Sequence, residues 1–395
     1  MLVAGIVSEY NPFHLGHAAH ISQTRLAGAT HVVAVMSGNF VQRGEPAVLS
    51  KWARARQALE NGADLVIELP LPWALSGAER FAYGSVALLD ALGADLLSFG
   101  SECGNAAELE RAARALGSPA LREALRSGLK DGSTFAKARQ SAIHSLCDEK
   151  TALLLREPNN ILGIEYIKAL HKLGSKMTPF TIQRIGAAHD APQAESGIAS
   201  ASMIRSLIQS GGDFAAHMPK AAADILKAEI SSGRAPADIL RIERAILAKL
   251  RTMSREEFGS LPDVSEGLEN RIYAAVRKAS TLEELYDSVK TKRYTHARIR
   301  RIILSAFLGL NSSLSDGVPP YLRVIGFNSR GLEILHSAKM TTKLPIITNS
   351  SDILSLDSKA RNMIELEGRS ADLFALCMPH AAPCGLDMTT GIISV

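Results

Sequence analysis

The sequence predicts an α/β protein whose first half is a parallel sheet wound with helices on both faces, and three observations predict it. Short apolar runs at Val3–Val7, His31–Met36, Asp64–Pro70 and Ala94–Gly100 have the length and continuity of strands buried on both faces. Helix-compatible stretches, Ser50–Asn61 and Ala78–Leu92, alternate with the later runs, the pattern of a parallel sheet. Polar blocks follow each run, and in such sheets ligands bind beyond the carboxyl ends of the strands. Site residues are therefore sought first in Glu9–His17, Ser37–Gly44, Glu68–Pro72 and Gly100–Glu102.

The first run leads into the most informative stretch, Val3–His20. Asn11-Pro12 breaks the strand, because proline lacks an N–H and pushes the preceding residue out of helical geometry. A helix restarts near His14, which places His14 and His17 on one face of its first turn with Gly16 between them. A helix N-terminus offers unpaired N–H groups, and imidazole N–H groups beside it can donate to phosphate oxygens as charge develops. The HxGH spacing therefore reads as a nucleotide site. Zinc is set aside, since no third or fourth ligand lies nearby at metal spacing.

Residues from Gly104 to about Leu155 are rich in Ala, Leu, Arg and Glu and read as a helical insertion (about 104–157) with solvated charges. Pro158 ends it, Asn159-Asn160 opens another helix, and Pro179–Ile185 is a further strand candidate followed by Gly186–Asp190. In SGIASASMIRSLI either Ser200 or Ser202 can cap a helix that carries Arg205 in its first turns. This reads either as an ordinary capped helix or as a phosphate site.

A boundary is placed near Gly211-Gly212, giving domains 1–210 and 211–395, since 395 residues exceed what one core usually organises. The second half is largely helical. It contains a basic run with Lys290, Lys292, Arg293, Arg298, Arg300 and Arg301, and with Tyr294 interleaved. The excess charge reads as a nucleic-acid backbone contact, with Tyr294 either a stacking ring or a buried anchor. Strand candidates at Tyr321–Phe327 and Leu344–Thr348 suggest a small α/β appendage to which no chemistry is assigned.

Composition limits the remaining choices. With 46% hydrophobic and 21% charged residues the chain is a globular protein, and its net charge of +4 alone implies no nucleic acid. Cys103, Cys147, Cys377 and Cys384 are too sparse for a disulfide scaffold, and Cys377 and Cys384 flank His380 at no standard zinc spacing. There is no cleavable apolar leader and no run of about 20 apolar residues, so a cytoplasmic chain without a membrane span is expected.

Several blocks closely resemble the bacterial tRNA-Met cytidine acetate ligase family. They are GIVSEYNPFHLGH, MSGNFVQRGEPAVLSKWARARQAL, DLVIELP, FGSE, PNNILGIEYIKAL, IQRIGAAHD, SASMIR and TKRYTHARIRRIIL. The likeness runs through most of the chain and is weakest after about Ser312. It implies a Rossmann-like domain of the HIGH nucleotidyltransferase superfamily in 1–210, and a tRNA-binding region with a small α/β end in 211–395.

It further implies that acetate attacks the α-phosphate of ATP, that acetyl adenylate forms, and that the acetyl group passes to N4 of the wobble cytidine of elongator tRNA-Met. Under this resemblance His14, His17 and Arg205 are catalytic. The nucleotide is held by Val7, Ser8, Glu9, Tyr10, Asn11, Pro12, Phe13, His14, Leu15, Gly16, His17 and His20, and by Gly100, Asn159, Asn160, Arg184, Ser202 and Arg205. Mg2+ is expected to bridge the phosphates with few protein ligands. RNA would contact Lys290, Lys292, Arg293, Tyr294, Arg298 and Arg301. No protein partner is read from the chain. The alternatives are a nucleotidyltransferase that adenylylates a small phosphorylated metabolite, and a non-catalytic RNA-binding protein.

Overall fold

A computed structural model describes residues 1–133, 135–146, 149–184, 199–265 and 267–395. The strands are β1 (Val3–Ser8), β2 (His31–Ser37), β3 (Phe40–Val41), β4 (Glu45–Pro46), β5 (Leu65–Leu69), β6 (Leu96–Ser101), β7 (Thr178–Gln183), β8 (Leu322–Phe327), β9 (Ile346–Ile347) and β10 (Ile393–Ser394). Helices of the first half are α1 (Leu15–Leu26), α2 (Lys51–Glu60), α3 (Leu71–Ala74), α4 (Ala78–Ala91), α5 (Ala106–Gly117), α6 (Pro119–Lys130), α7 (Phe135–Leu146), α8 (Glu149–Leu154), α9 (Pro158–Leu173) and α10 (Ala201–Ser210). Those of the second half are α11 (Lys220–Ser231), α12 (Glu243–Thr252), α13 (Arg255–Gly259), α14 (Leu268–Val276), α15 (Leu282–Val289), α16 (His296–Leu308), α17 (Ser329–Thr341), α18 (Ser358–Ala375) and α19 (Leu386–Thr389). Cys147 and the segment Gly186–Asp190 lie outside the described residues.

The predicted strands form one sheet in the order β10-β8-β5-β2-β1-β6-β7, with β9 beside β8. Its pairings are parallel except β5 with β8. The apolar runs are strands because each residue has a core to enter on either face. Val33, Val35, Leu65, Ile67 and Phe99 face one cluster with α4 and α9, while Val32, Ala34, Met36 and Val66 face another with Ile21 of α1 and Leu59 of α2. Gly5 lets α4 approach β1, because a Cβ there would stand 2.5 Å from Leu89.

The chain moves from β1 through β2 to β5, then returns across β1 to β6. That reversal opens a crevice at the carboxyl ends of β1 and β6, the usual ligand position in a doubly wound sheet. The helical insertion is present as α5 to α8. The small α/β end shares the main sheet, since β8 pairs with β5 from Leu65↔Phe327 to Glu68↔Arg323. Past Gly211, α11 packs on α2, with Gln57 donating to the Ala222 carbonyl at 2.8 Å.

A buried ionic cluster ties the two ends of the chain together. Lys51 at the start of α2 donates to both Glu68 oxygens at 2.8 and 2.7 Å and also pairs with Asp387. Arg323 reaches Asp387 at 2.6 Å and Glu68 at 3.5 Å. Burial alone would raise the Asp387 carboxyl, but Lys51 and Arg323 hold it down at about 2. Burial and the neighbouring Glu68 push Glu367, which accepts from the Leu71 N–H, up to about 8.

Candidate active site

The two histidines organise the start of α1. His14 is its N-cap, with extended backbone (φ −139°, ψ 175°), and its Nδ1 accepts the Gly16 N–H at 3.0 Å. His17 Nδ1 reaches back to accept the His14 N–H at 3.2 Å, closing a capping box made of imidazoles. The rings stack with centroids 3.8 Å apart. Because each Nδ1 accepts, each neutral ring carries its proton on Nε2, which leaves two N–H donors for the cleft.

Burial, then the charges of Arg184 and Arg205, lowers His14 to about 4. Burial and then His14 lower His17, and burial with Arg184 brings His20, bonded to Ser98 Oγ at 2.9 Å, to about 4. These are neutral donors at physiological pH. An unfolded chain binds protons on them near 6.5 whereas the folded chain does not, so their contribution to stability is complete above 6.5 and is lost as pH falls toward 4. Unfolding between those limits is expected to take up about three protons on these residues. His20→Gln should remove about one of them, measured as the slope of unfolding free energy against pH.

Across the cleft stands α10. Ser200 caps it by accepting the Met203 N–H at 3.2 Å, and the Ser200 and Ser202 hydroxyls are 2.9 Å apart. Arg205, one turn on, donates to the Asn11 carbonyl at 2.9 Å, which ties α10 to the turn after β1. Gly100 lies one residue before the end of β6 with the Arg184 side chain against it, where a Cβ would lie 3.2 Å from Arg184 Cγ.

Val7, Ser8, Glu9, Tyr10, Asn11, His14, His17, His20, Gly100, Asn159, Arg184, Ser202 and Arg205 line this single cleft, which opens to solvent. Five other expected residues stand behind it. Phe13 is fully buried against Tyr10, and Pro12 lies buried beside it. Leu15 and Gly16 begin α1, while the Asn160 side chain accepts the Cys103 N–H at 3.1 Å. Glu102 organises that end of α9 by accepting from the Asn159 and Asn160 N–H groups.

The structure adds lining residues beyond the expected nucleotide contacts: Gln42, Arg43, Phe81, Phe99, Leu162, Tyr166, Ser200 and Ala201. Gln42 and Arg43 come from the β3–β4 hairpin, where the Gln42 N–H donates to Glu9 Oε1 at 2.7 Å. Arg54, fully buried, donates to the carbonyls of Glu9, Ser37, Gly38 and Leu49 and so locks the turns after β1 and β2 together. From outside, α16 packs against the hairpin. Arg300 pairs with Glu45, Arg301 donates to the Gln42 carbonyl at 3.3 Å, and Gly44 (φ +79°) leaves room for the Arg300 backbone.

The basic run divides in two. Lys290, Lys292 and Arg293 are exposed. Arg298 instead donates to the Asp263 carbonyl at 3.0 and 2.7 Å, and Arg301 meets the Asp263 carboxylate at 3.3 Å. Tyr294 is only 8% exposed and lies under Arg298, so its ring serves as an anchor. Among the described residues, no three His, Cys, Asp or Glu side chains gather as metal ligands, and no helix is long and apolar enough to cross a membrane.

A parallel crevice with paired imidazoles at a helix start defines a class, and the HIGH Nucleotidyl Transferase family model matches residues 1–385. Two relatives, each a tRNA(Met) cytidine acetate ligase, align over the whole of both chains: that of Acetivibrio thermocellus at 39% identity and that of Caldanaerobacter subterraneus subsp. tengcongensis at 42%. The chain belongs to the tRNA(Met) cytidine acetate ligase family. The crystal structure of apo Thermotoga maritima TmcAL superimposes with a TM-score of 0.95 at 34% identity over all of both chains. The same protein bound with alpha-thio ATP gives 0.93 at 34% identity, over all of this chain and 99% of that one.

Proposed function

We propose that this chain is an ATP-dependent ligase that converts acetate to acetyl adenylate and then acetylates N4 of the wobble cytidine of elongator tRNA-Met. The observation that carries the reading is the cleft itself, in which two neutral imidazole donors and the positive ends of α1 and α10 share one space with Arg184 and Arg205. In the first step a carboxylate oxygen of acetate attacks the α-phosphorus and pyrophosphate leaves. The Nε2–H groups of His14 and His17 donate to the phosphate oxygens as charge builds. Arg205 and the start of α10 hold the leaving pyrophosphate. The turn Val7–His20 with Gly100, Asn159 and Arg184 holds the nucleotide.

Mg2+ would come with the triphosphate and would supply neutralisation of its charge, while His14, His17, Arg184 and Arg205 orient the nucleotide. Incubation with labelled acetate, ATP and tRNA-Met tests the whole reaction, and label recovered as N4-acetylcytidine is the expected result. Label that never reaches the RNA removes this reading and favours adenylylation of a metabolite.

For the RNA we propose contact through the exposed part of the basic run. Reversing Lys290, Lys292 and Arg293 to glutamate is expected to weaken tRNA binding about tenfold or more at moderate salt and to reduce its salt slope, measured by titration at several ionic strengths. Arg298 and Arg301 are poor choices for that test, because their guanidinium groups hold the loop at Asp263.

A further inference from the structure

The wall of the cleft facing α4 and α9 differs in kind from the wall that carries the histidines. Phe81, Phe99 and Tyr166 line it, each almost wholly buried, with the Phe99 and Tyr166 rings 5.6 Å apart and inclined at 57°. Gly163 lets α9 approach this close, since a Cβ there would meet the Phe99 ring at 2.6 Å. Glu9 supplies the one carboxylate among the described residues of the cleft lining, within electrostatic reach of Tyr166. Its Oε1 is anchored by the Gln42 N–H at 2.7 Å.

A carboxylate accepts hydrogen bonds and repels anions, so the group in direct contact with the Glu9 carboxylate is a hydrogen-bond donor, while the phosphates are held by other groups of the same turn. Aromatic side chains that line a cleft pack against a planar ring by face or by edge. Together they select a planar heterocycle with an exocyclic amine, and the adenine of ATP and the acceptor cytosine both have that chemistry. Position favours cytosine. Glu9 stands in the same turn as Asn11, whose carbonyl accepts from Arg205 at 2.9 Å, so Glu9 lies on the phosphate side of the cleft, where the acyl group is attached, whereas adenine is a ribose away.

We propose, on the ligase reading above, that Phe81, Phe99 and Tyr166 receive the unpaired acceptor cytosine and that Glu9 accepts the hydrogen bond, and then the proton, of its N4 amine. The amine lone pair forms the N–C bond to the acetyl carbon. The bond from that carbon to the adenylate oxygen breaks, its electron pair leaves with AMP, and one amine proton passes to Glu9. Burial raises the affinity of Glu9 for that proton, opposed by the Gln42 N–H and by Arg205, Arg54 and Arg43 around it.

The test supplies acetyl adenylate and an anticodon stem-loop with an unpaired wobble cytidine to the full-length protein in single turnover. Glu9→Gln, which keeps an oxygen for the Gln42 N–H, is expected to slow acetyl transfer by about 100-fold or more and to abolish the acid limb of its pH profile. Transfer within about threefold of wild type with that limb intact overturns the assignment. Phe81→Ala, assayed separately, is expected to raise KM for the stem-loop by about tenfold and by more than KM for ATP. An equal or larger rise for ATP assigns the wall to adenine and overturns the proposal. Absence of transfer by the wild-type protein instead removes the ligase reading itself, an outcome distinct from either.

Discussion

Acetate-dependent adenylation falls by about a thousandfold or more when His14 and His17 are both replaced by alanine, since loss of one donor to a developing oxyanion typically slows catalysis about 100- to 1000-fold. Both rings are neutral with Nε2–H toward the cleft, so the effect is a lost donor, not a lost positive charge. The same histidines close the capping box of α1, and alanine also removes that. His14→Asn and His17→Gln, tested singly, separate the roles. Asparagine is a good N-cap and glutamine at N3 can reach back to the N-cap N–H, so these variants should keep stability within about 1 kcal/mol of wild type while remaining strongly impaired in exchange between pyrophosphate and ATP. Near-normal exchange by the double alanine variant would take the pair out of the chemistry.

The second large effect concerns stability. Lys51→Ala is expected to lower unfolding free energy by about 3 to 5 kcal/mol, because it leaves Glu68 and Asp387 buried with Arg323 as their remaining cation. A surface pair would account for at most about 1 kcal/mol. Since Arg323 and Asp387 come from the C-terminal end, the loss should loosen β8 against β5 as well as α2. Denaturant titration measures the first effect and hydrogen exchange in Leu322–Phe327 the second. A loss below about 1 kcal/mol contradicts the view that this cluster joins the chain ends.

Much of the catalytic half was legible because its signals are local. An apolar run, a turn and HxGH lie within eighteen residues, and parallel-sheet geometry already places strand ends beside ligands. What escaped is non-local. Phe81 and Tyr166 sit on α4 and α9, where an aromatic residue at helical spacing reads as core, and only the packing of those helices on each other and on the sheet turns the rings to the cleft. Gln42 and Arg43 fall in the block Ser37–Gly44 where site residues were sought, but nothing local singles them out, because the hairpin that aims them is held by α16, more than 250 positions away.

Asn159 and Asn160 are adjacent in sequence, yet one lines the cleft and the other caps the turn at Cys103, a choice made by helix phase. In the basic run a count of charges could not tell Lys290, Lys292 and Arg293 from the arginines already engaged with Asp263. The strand at Leu322–Phe327 was visible, but its partner β5 was not, because pairing across more than 250 residues leaves no periodic trace.

The most direct test of the central claim is isotope exchange between pyrophosphate and ATP, with and without acetate, first without tRNA and then with it, since RNA binding can complete a site. Exchange that requires acetate is the predicted result and establishes formation of acetyl adenylate in this cleft. Exchange that stays at background with acetate and tRNA both present contradicts it.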